Sequence, residues 1–572
     1  MSIAFDYVIV GGGSAGCVMA HRLSADPLVR VLLIEAGIDT PPDRVPAAIL
    51  DSYPMGLFHG DRYIWPGLKA RIGSGIDGIP MVRAYEQGRV MGGSSSINVQ
   101  AANRGLPRDY DEWAELGAIG WSWSEVLPYF RKLERDLDCT GPLHGHDGPV
   151  PIRRIGEQDF PAFARAVARA FGKSGLDLRT DQNGEFGDGL FPPAFSNEND
   201  RRVSSAQAYL DAPTRARPNL TVWPESRVTR LLLEGRRARG VELLRNGVRV
   251  EVAASRIVLC AGALQTPAML LRAGIGAGSE LAALGIDTVL DLPGVGRNLR
   301  DHPALTLCQY LPKALRLPMD YRRASFLAMR FSSGLDGGSP SDMYVTASAR
   351  AGWHALGQRL GLYFMWCNRP HSHGRVSLAS SDPDVYPNAD LNLLSDPRDL
   401  RRLMDCVRTV ARLVVDPGLN PDPGDLFPAG FTPRIKRLSA FSRRNAALNA
   451  VLGTMLDVPA RLRQHLLRTF MSSGHSLAEI IADESRLEDF VRRSVFGVWH
   501  ASGTCRMGSA SDRTAVVDPT GKVIGCDNIF VADASVMPRL PTANTNIPVI
   551  MIAEKIADGL TRRGGGRHAS IA

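Results

Sequence analysis

Near its amino terminus the chain runs a short apolar stretch, Asp6-Tyr7-Val8-Ile9-Val10, straight into Gly11-Gly12-Gly13-Ser14-Ala15-Gly16. An apolar run of that length, stopped by glycine, reads as a buried parallel strand. The small residues that follow predict a helix from about Ala15 to Leu23, and Val31-Leu32-Leu33-Ile34 predicts a second strand ending in Glu35. Strand, glycine turn, helix, strand and terminal acid together form the fingerprint of a dinucleotide-binding α/β unit. Gly11 allows the tight turn, Gly13 lets the backbone approach a pyrophosphate, and Gly16 lets helix pack closely on strand. The helix N-terminus offers free N–H groups and the positive end of a dipole to the phosphates. Glu35 accepts hydrogen bonds from ribose hydroxyls and repels a 2′-phosphate. The motif alone does not choose between NAD and FAD.

A chain of 572 residues exceeds one hydrophobic core and suits about two or three domains. The formal charge of +8 arises from 67 basic and 59 acidic side chains. That surplus is small, and no aromatic-interleaved basic stripe accompanies it, so no nucleic-acid partner is expected. Part of it falls in a tail with Arg562, Arg563 and Arg567 that reads as flexible. The 8 cysteines include no Cys-x-x-Cys pair, a pattern of reduced, buried thiols. The first strand begins near Phe5, which leaves no room for a signal peptide. No apolar stretch reaches the roughly 18 residues of a membrane helix. A soluble cytoplasmic protein is expected.

Further β-patterns lie at Leu220 to Val228, Arg239 to Leu244 and Arg256 to Cys260. Ala261-Gly262-Ala263 and a helix from about Thr266 to Arg272 repeat the order strand, small-residue turn, helix. From Arg398 to Val415, Leu400, Leu403, Met404, Val407, Val410 and Val414 recur at helical spacing and predict a core-facing stripe. Residues 434–470 interleave Leu and Arg and are interrupted at Pro459. They read as a pair of amphipathic surface helices; a lid, an oligomer contact and membrane-surface adhesion stay open. A last strand, Asn528 to Asp533, precedes a helix from Ile547 to Leu560 with Pro548 in its first turn. The cofactor domain is therefore expected to be discontinuous, with residues 1–155, 200–310 and 490–572, and the substrate domain to hold 156–199 and 311–489.

Three further blocks are informative: Gly88-Arg89-Val90-Met91-Gly92-Gly93-Ser94-Ser95-Ser96-Ile97-Asn98 with Asn103-Arg104-Gly105; Ala261-Gly262-Ala263-Leu264-Gln265-Thr266-Pro267; and Trp499-His500-Ala501-Ser502-Gly503-Thr504-Cys505-Arg506-Met507-Gly508, followed by Asp533-Ala534-Ser535-Val536-Met537-Pro538 and Asn544-Thr545-Asn546. With the amino-terminal fingerprint, they make the chain resemble the glucose-methanol-choline oxidoreductase family over essentially its whole length. Tyr85-Glu86-Gln87-Gly88-Arg89, the Gly105 to Trp113 phrase and the Trp499-His500 run are most similar to bacterial members that oxidise furanic and aromatic primary alcohols such as hydroxymethylfurfural. Choline dehydrogenases are the nearest competing subgroup.

The resemblance implies an α/β fold with an α+β second domain. A Rossmann-like FAD-binding domain is joined to a substrate domain built on an antiparallel sheet flanked by helices. It implies FAD as cofactor, a small alcohol as substrate, and O2 or a quinone-type group as electron acceptor. Its cofactor-binding set in this chain is Gly11, Gly13, Ser14, Gly16, Glu35, Arg89, Met91, Gly92, Asn98, Val228, Trp499, Asp533, Ala534 and Thr545. The family position that carries a covalent flavin link in some members holds Ile97 here, which implies non-covalent FAD. His500 is expected to be the base that takes the hydroxyl proton, since an imidazole titrates near neutrality. Asn544 stands where the family has His or Asn; an amide is no base but orients a substrate oxygen. A helix starting near Ile547 is expected to favour an anionic reduced ring through its N-terminal dipole. Tyr363-Phe364-Met365-Trp366 reads either as an aromatic pocket wall or as a core strand. The pairs His144 with His146 and His371 with His373 are not expected to hold metal, and His302 is expected to be structural. A nicotinamide dehydrogenase accounts for the amino terminus but not for the later blocks; a flavin-containing lyase stays open.

Overall fold

The computed structural model describes residues 4–565 apart from 59, 74, 76–78, 319–320, 430–432 and 471–474. Of the tail expected to be flexible, Arg562 and Arg563 belong to the helix Asn546–Gly565, and Arg567 lies outside the described residues.

The strand Ala4–Val10 pairs in parallel with Val31–Ile34 on one side and with the second half of Val248–Leu259 on the other. Its side chains meet protein on both faces: Val8 and Ile9 are fully buried, as are Val31, Leu32 and Leu33. Each contributes about 1.5–3 kcal/mol of apolar burial, which is why the strands read as unbroken hydrophobic runs. The full sheet runs in the order 220–223, 31–34, 4–10, 248–259, 237–245, 226–234, and Ile529–Val531 adds in parallel to 248–259. Val248–Leu259 thus joins a parallel half to an antiparallel meander. The expected strand from Leu220 to Val228 is two strands. Pro224 has no N–H to donate, and Glu225 turns the chain at φ 47°. Leu220–Trp223 stays on the parallel half while Ser226–Glu234 closes the meander at the opposite edge.

The helix Ser14–Leu23 packs against both first strands and against the carboxy-terminal helix Asn546–Gly565. A Cβ on Gly16 would stand 1.8 Å from the Gly11 carbonyl oxygen, whereas a Cβ on Gly13 would meet nothing nearer than Gly93 Cα at 3.8 Å. The first glycine is required by packing, and the second leaves a surface open.

The second sheet is antiparallel throughout, in the order 426–429, 303–310, 360–367, 343–348, 325–331, 189–191, with Phe496–Gly497 beside 303–304. The domain boundary expected at 311 falls after one of its central strands, Pro303–Tyr310, and the boundary at 490 falls before Phe496–Gly497. Both segments take their hydrogen bonds from this sheet. The helices Ala162–Gly172 and Pro397–Val414 cover one of its faces. All six apolar residues expected on the latter helix's inner stripe are buried. The other face is left to a cavity. Alternation of side chains along a strand therefore divides the 363–366 run: Tyr363 and Met365 enter the helix-covered core, and Phe364 and Trp366 line the cavity.

Residues 434–470 fall within three helices, Pro433–Ser439, Arg443–Leu456 and Ala460–Phe470, where two were expected. The additional break is made by Ser442, whose hydroxyl accepts from Asn445 N at 3.0 Å and caps the second helix. Ile435 and Ser439 line the cavity, so the first helix forms part of its wall.

The two glycines separate packing from binding. Gly16→Ala is expected to lower stability by about 1–3 kcal/mol through forced displacement of the Gly11 turn, read by denaturant titration of the apoprotein. Gly13→Ala is expected to leave that titration within about 0.5 kcal/mol while weakening dinucleotide retention. Equal destabilisation by both would contradict the division.

Candidate active site

One continuous cavity of about 1350 Å³ is lined by residues of both sheets. It exceeds the roughly 300–1,000 Å³ of a small-molecule pocket and has room for an extended dinucleotide and a substrate.

At one end the wall consists of Gly11, Gly13, Ser14, Glu35, Val228, Gly262, Asp533 and Ala534. Glu35 accepts from Gly12 N and Gly37 N, both at 2.8 Å, and two carboxylate oxygens with about four lone-pair sites keep acceptor capacity for ribose hydroxyls. Burial pushes its pKa up to about 7 against those hydrogen bonds. Asp533 is engaged within the protein: it accepts from Gly262 N at 2.8 Å, Thr266 Oγ1 at 2.5 Å and Ser535 N at 2.9 Å. It thereby fixes the turn before the helix Gly262–Arg272 to the turn after Ile529–Val531. Ser14 Oγ donates to Asn546 Oδ1 at 2.7 Å and ties two helix N-termini together on the cavity wall. Two positive dipole ends at one place favour a bound anion. The open face at Gly13, the paired N-termini and Glu35 fit an adenine dinucleotide.

Arg89, Asn98, Trp499 and Thr545 also line the cavity. Gly16, Met91 and Gly92 do not: they stand behind the wall and shape it. Gly92, at φ 88°, donates its N–H to Gly12 O at 2.7 Å, and the Met91 carbonyl accepts from Ser96 Oγ at 2.8 Å. Asn98 is oriented by the buried Arg202, whose Nη1 donates to Asn98 Oδ1 at 2.8 Å.

At the far end the cavity reaches His500, which is 7% exposed. Its Nε2 lies 3.0 Å from Asn544 Nδ2 and its Nδ1 lies 2.8 Å from His302 Nδ1. The tautomers follow from the last partner in the chain. His302 Nε2 is 3.0 Å from the Asn368 carbonyl oxygen, which only accepts, so His302 carries its proton on Nε2. Its Nδ1 must then accept, and His500 must donate from its own Nδ1. The lone pair of His500 is left on Nε2, beside the Asn544 amide. Burial, and then the neighbouring His302, hold the His500 pKa well below the usual histidine range, while burial pushes that of His302 down to about 3. Both rings are neutral at physiological pH.

The backbone of His500 is held by a buried carboxylate. Asp301 Oδ1 accepts from His302 N at 2.8 Å, Val498 N at 3.1 Å and His500 N at 2.9 Å, and Asp301 Oδ2 accepts from Tyr85 Oη at 2.7 Å. Burial raises the Asp301 pKa to about 6 in spite of these bonds. Trp499, between the clamped residues, takes φ 60°, a region costly for a bulky side chain. Its indole N–H donates to Glu86 Oε2 at 3.0 Å. The surrounding wall is aromatic. Trp366 lies 4.5 Å from Tyr344 and 5.5 Å from Phe364 between ring centroids, and Phe364 lies 5.5 Å from Phe496.

Sequence reasoning placed His500 and Asn544 together but set His302 aside as structural. Asp301, Tyr85 and Asn368 were missed as well. The partnership of His302 with His500 spans 198 residues, and no local pattern announces it. The His144 region also holds more than expected, since the ligand atoms of Asp136, Cys139 and His144 lie within 4.8 Å of one another. Ion pairs already engage this cluster. His144 contacts Glu134, Asp136 and Asp181 at 2.9–3.0 Å, and Arg154 Nη1 contacts both Asp136 oxygens at 2.9 Å. Burial disfavours the imidazolium, but the bonds to Asp136, Asp181 and Glu134 prevail and raise its pKa to about 10. His146 is exposed, and His371 Nε2 lies 2.9 Å from Gly337 O.

Models of the GMC oxidoreductase family match residues 5–304 and 370–553. A 5-(hydroxymethyl)furfural oxidase of Methylovorus sp. (strain MP688) is 44% identical over 563 residues, 97% of this chain and 98% of its own. Human mitochondrial choline dehydrogenase is 32% identical over 97% of this chain and 89% of its own. Among solved structures, pyridoxine 4-oxidase from "Mesorbium loti" superposes with a TM-score of 0.78 at 28% identity, covering 98% of this chain and 99% of that one. The fingerprint at Gly11, the cavity that runs from it to His500, and matches of this extent lead to one assignment: the chain belongs to the GMC oxidoreductase family, the FAD-dependent alcohol oxidoreductases.

Proposed function

We propose that the protein oxidises aryl or furanic primary alcohols, with His500 as the base that takes the hydroxyl proton and Asn544 as the group that orients the hydroxyl oxygen. The observation that carries this reading is the His500 Nε2 lone pair beside the Asn544 amide, 3.0 Å apart, at the aromatic end of the dinucleotide cavity. A hydroxyl that replaces this direct contact donates to Nε2 and accepts from Asn544 Nδ2. Bound FAD supplies the hydride acceptor. His302 and the Asn368 carbonyl keep the His500 proton on Nδ1, and Asp301 keeps the ring in place. When His500 takes the substrate proton, its new charge spreads along the hydrogen bond to His302. A hydrated aldehyde presents the same hydroxyl next to a transferable hydrogen, so the site also suits a second oxidation to the acid.

The substrate reading rests on Trp366, Phe364, Tyr344 and Phe496, a wall that suits a flat neutral ring, and on the name of the Methylovorus relative. The second reading, choline or another aliphatic alcohol, draws support from the human relative. The comparison is kcat/KM for hydroxymethylfurfural, benzylic alcohols and choline under one acceptor, run with O2 and with a quinone dye because both acceptor classes remain in play. The ring alcohols are expected to lead. A clear preference for choline would overturn the substrate assignment and leave the base in place.

His500→Ala is expected to retain FAD and to slow anaerobic flavin reduction by at least about 10²-fold, the loss of a positioned base. His302→Leu is expected to give a smaller loss, on the order of tenfold, because Nε2 survives but its tautomer is no longer imposed. Near wild-type reduction in His500→Ala would remove the assignment.

FAD binding is proposed to be non-covalent. Ile97, 2% exposed, lines the cavity with an alkyl side chain that forms no bond to a flavin. Acid precipitation is expected to leave the yellow colour in the supernatant, and a yellow pellet would count against this. A cytoplasmic setting is proposed on the 8 free cysteines, seven of them buried. No helix among the described residues is long and apolar enough to cross a membrane.

A further inference from the structure

The cavity wall changes character along the second sheet. Strand register puts Tyr344 opposite Trp366, Thr346 opposite Phe364 and Ser348 opposite both Leu362 and Ser325, and all seven line the cavity. The Trp366 rung is the one near the base, since its ring lies 6.5 Å from His302. Four residues on, about 13 Å along the strand, Ser325 and Ser348 exchange a hydrogen bond of 2.5 Å. Two residues beyond each of these serines, again on the cavity wall, stand Arg323 and Arg350. The face thus runs from aromatic rings through hydroxyls to two guanidinium groups.

Neither arginine is a solvated surface charge. Arg350 is 4% exposed and Arg323 is 8% exposed. Arg350 donates from Nη2 to the Tyr321 carbonyl and lies 4.8 Å over the Tyr53 ring. It has no carboxylate at ion-pair distance among the described residues, and its buried Nε has no hydrogen-bond partner. Arg323 lies 4.6 Å over the Phe195 ring. Among the described residues its sole carboxylate at ion-pair distance is Asp200 at 3.8 Å, which is 56% exposed, and its Nη1 is buried without a partner. The adjacent Arg322 is matched by Asp51 and adds no net charge. Burial lowers the pKa of both Arg323 and Arg350. Two cations out of water without full counter-charge are costly unless an anion joins them. Guanidinium forks above aromatic rings suit a planar oxyanion.

We propose that Arg350 and Arg323 form an anion subsite, so that the preferred substrate is a long aryl primary alcohol with a carboxylate at the end opposite its carbinol. This rests on the proposed alcohol chemistry at His500 for the carbinol end alone; the subsite itself rests on the two arginines. The spacing along the sheet favours an acid about two rings long over a single-ring acid.

The test uses the FAD-loaded enzyme and four probes: benzyl alcohol, 4-(hydroxymethyl)benzoate, biphenyl-4-methanol and 4′-(hydroxymethyl)biphenyl-4-carboxylate. In the wild type the biphenyl acid is expected to exceed biphenyl-4-methanol in kcat/KM by about tenfold, mainly through KM, with a smaller preference for the benzoate over benzyl alcohol. In Arg350→Met and Arg323→Met that acid-to-neutral ratio is expected to collapse towards unity, with partial recovery in Arg350→Lys. Arg323→Met serves independently if Arg350→Met does not fold. Biphenyl-4-carboxylate, which has no carbinol, is expected to perturb the flavin absorbance of the wild type and to do so far more weakly in either variant. If no alcohol reduces the flavin but this titration behaves as expected, the alcohol reading fails and the anion subsite stands. A wild-type ratio near unity, or a ratio and titration untouched by both substitutions, would overturn the subsite.

Discussion

The buried carboxylate of Asp301 is the point on which the reaction end of this molecule depends. It gathers three backbone N–H groups and one phenol from segments that are far apart in the chain: Tyr85 from the first part, His302 from the middle, Val498 and His500 from the last. A buried charge is tolerated when hydrogen bonds surround it, and four donors do so here. The consequence is mechanical. Pro303–Tyr310 begins immediately after the clamp and Phe496–Gly497 ends immediately before it, so the second sheet and His500 are located by the same group.

The clamp also explains why strain is found beside His500. Trp499 is held at φ 60° between clamped neighbours, and its indole is tied to Glu86. Such a conformation persists when the surroundings over-determine it. It turns Trp499 to the cavity wall while the next residue presents its imidazole to Asn544. The chain from the Asn368 carbonyl through His302 to His500 adds a second level of order, because an acceptor at its far end dictates where each proton sits. Position is supplied by Asp301, and protonation by Asn368.

Much of the nucleotide end was legible from residue order. Gly11, Gly16 and Glu35 act locally: the turn, the close contact of helix and strand, and the acid at a strand end are all set within about thirty residues. Trp499-His500 and Asn544 were legible for a different reason, as blocks shared with a family. The division of the 363–366 run between core and cavity needed only the alternation of a strand, but which face met the helices was not written in those four residues. The break at Ser442 was signalled by a capping serine within what was read as the first of two helices.

By itself the sequence determined the dinucleotide fold, the cofactor class and the position of the proposed base, because each depends on short-range geometry or on a contiguous motif. Only the tertiary structure decided what surrounds His500. His302 and Asp301 reach it across 198 and 199 residues, Tyr85 joins through Asp301 across 216, and the arginines join the same cavity through strand pairing. Contacts of that range are made by sheet register and by the burial of polar groups that must find partners. Such demands are satisfied in three dimensions and leave no periodic trace along the chain.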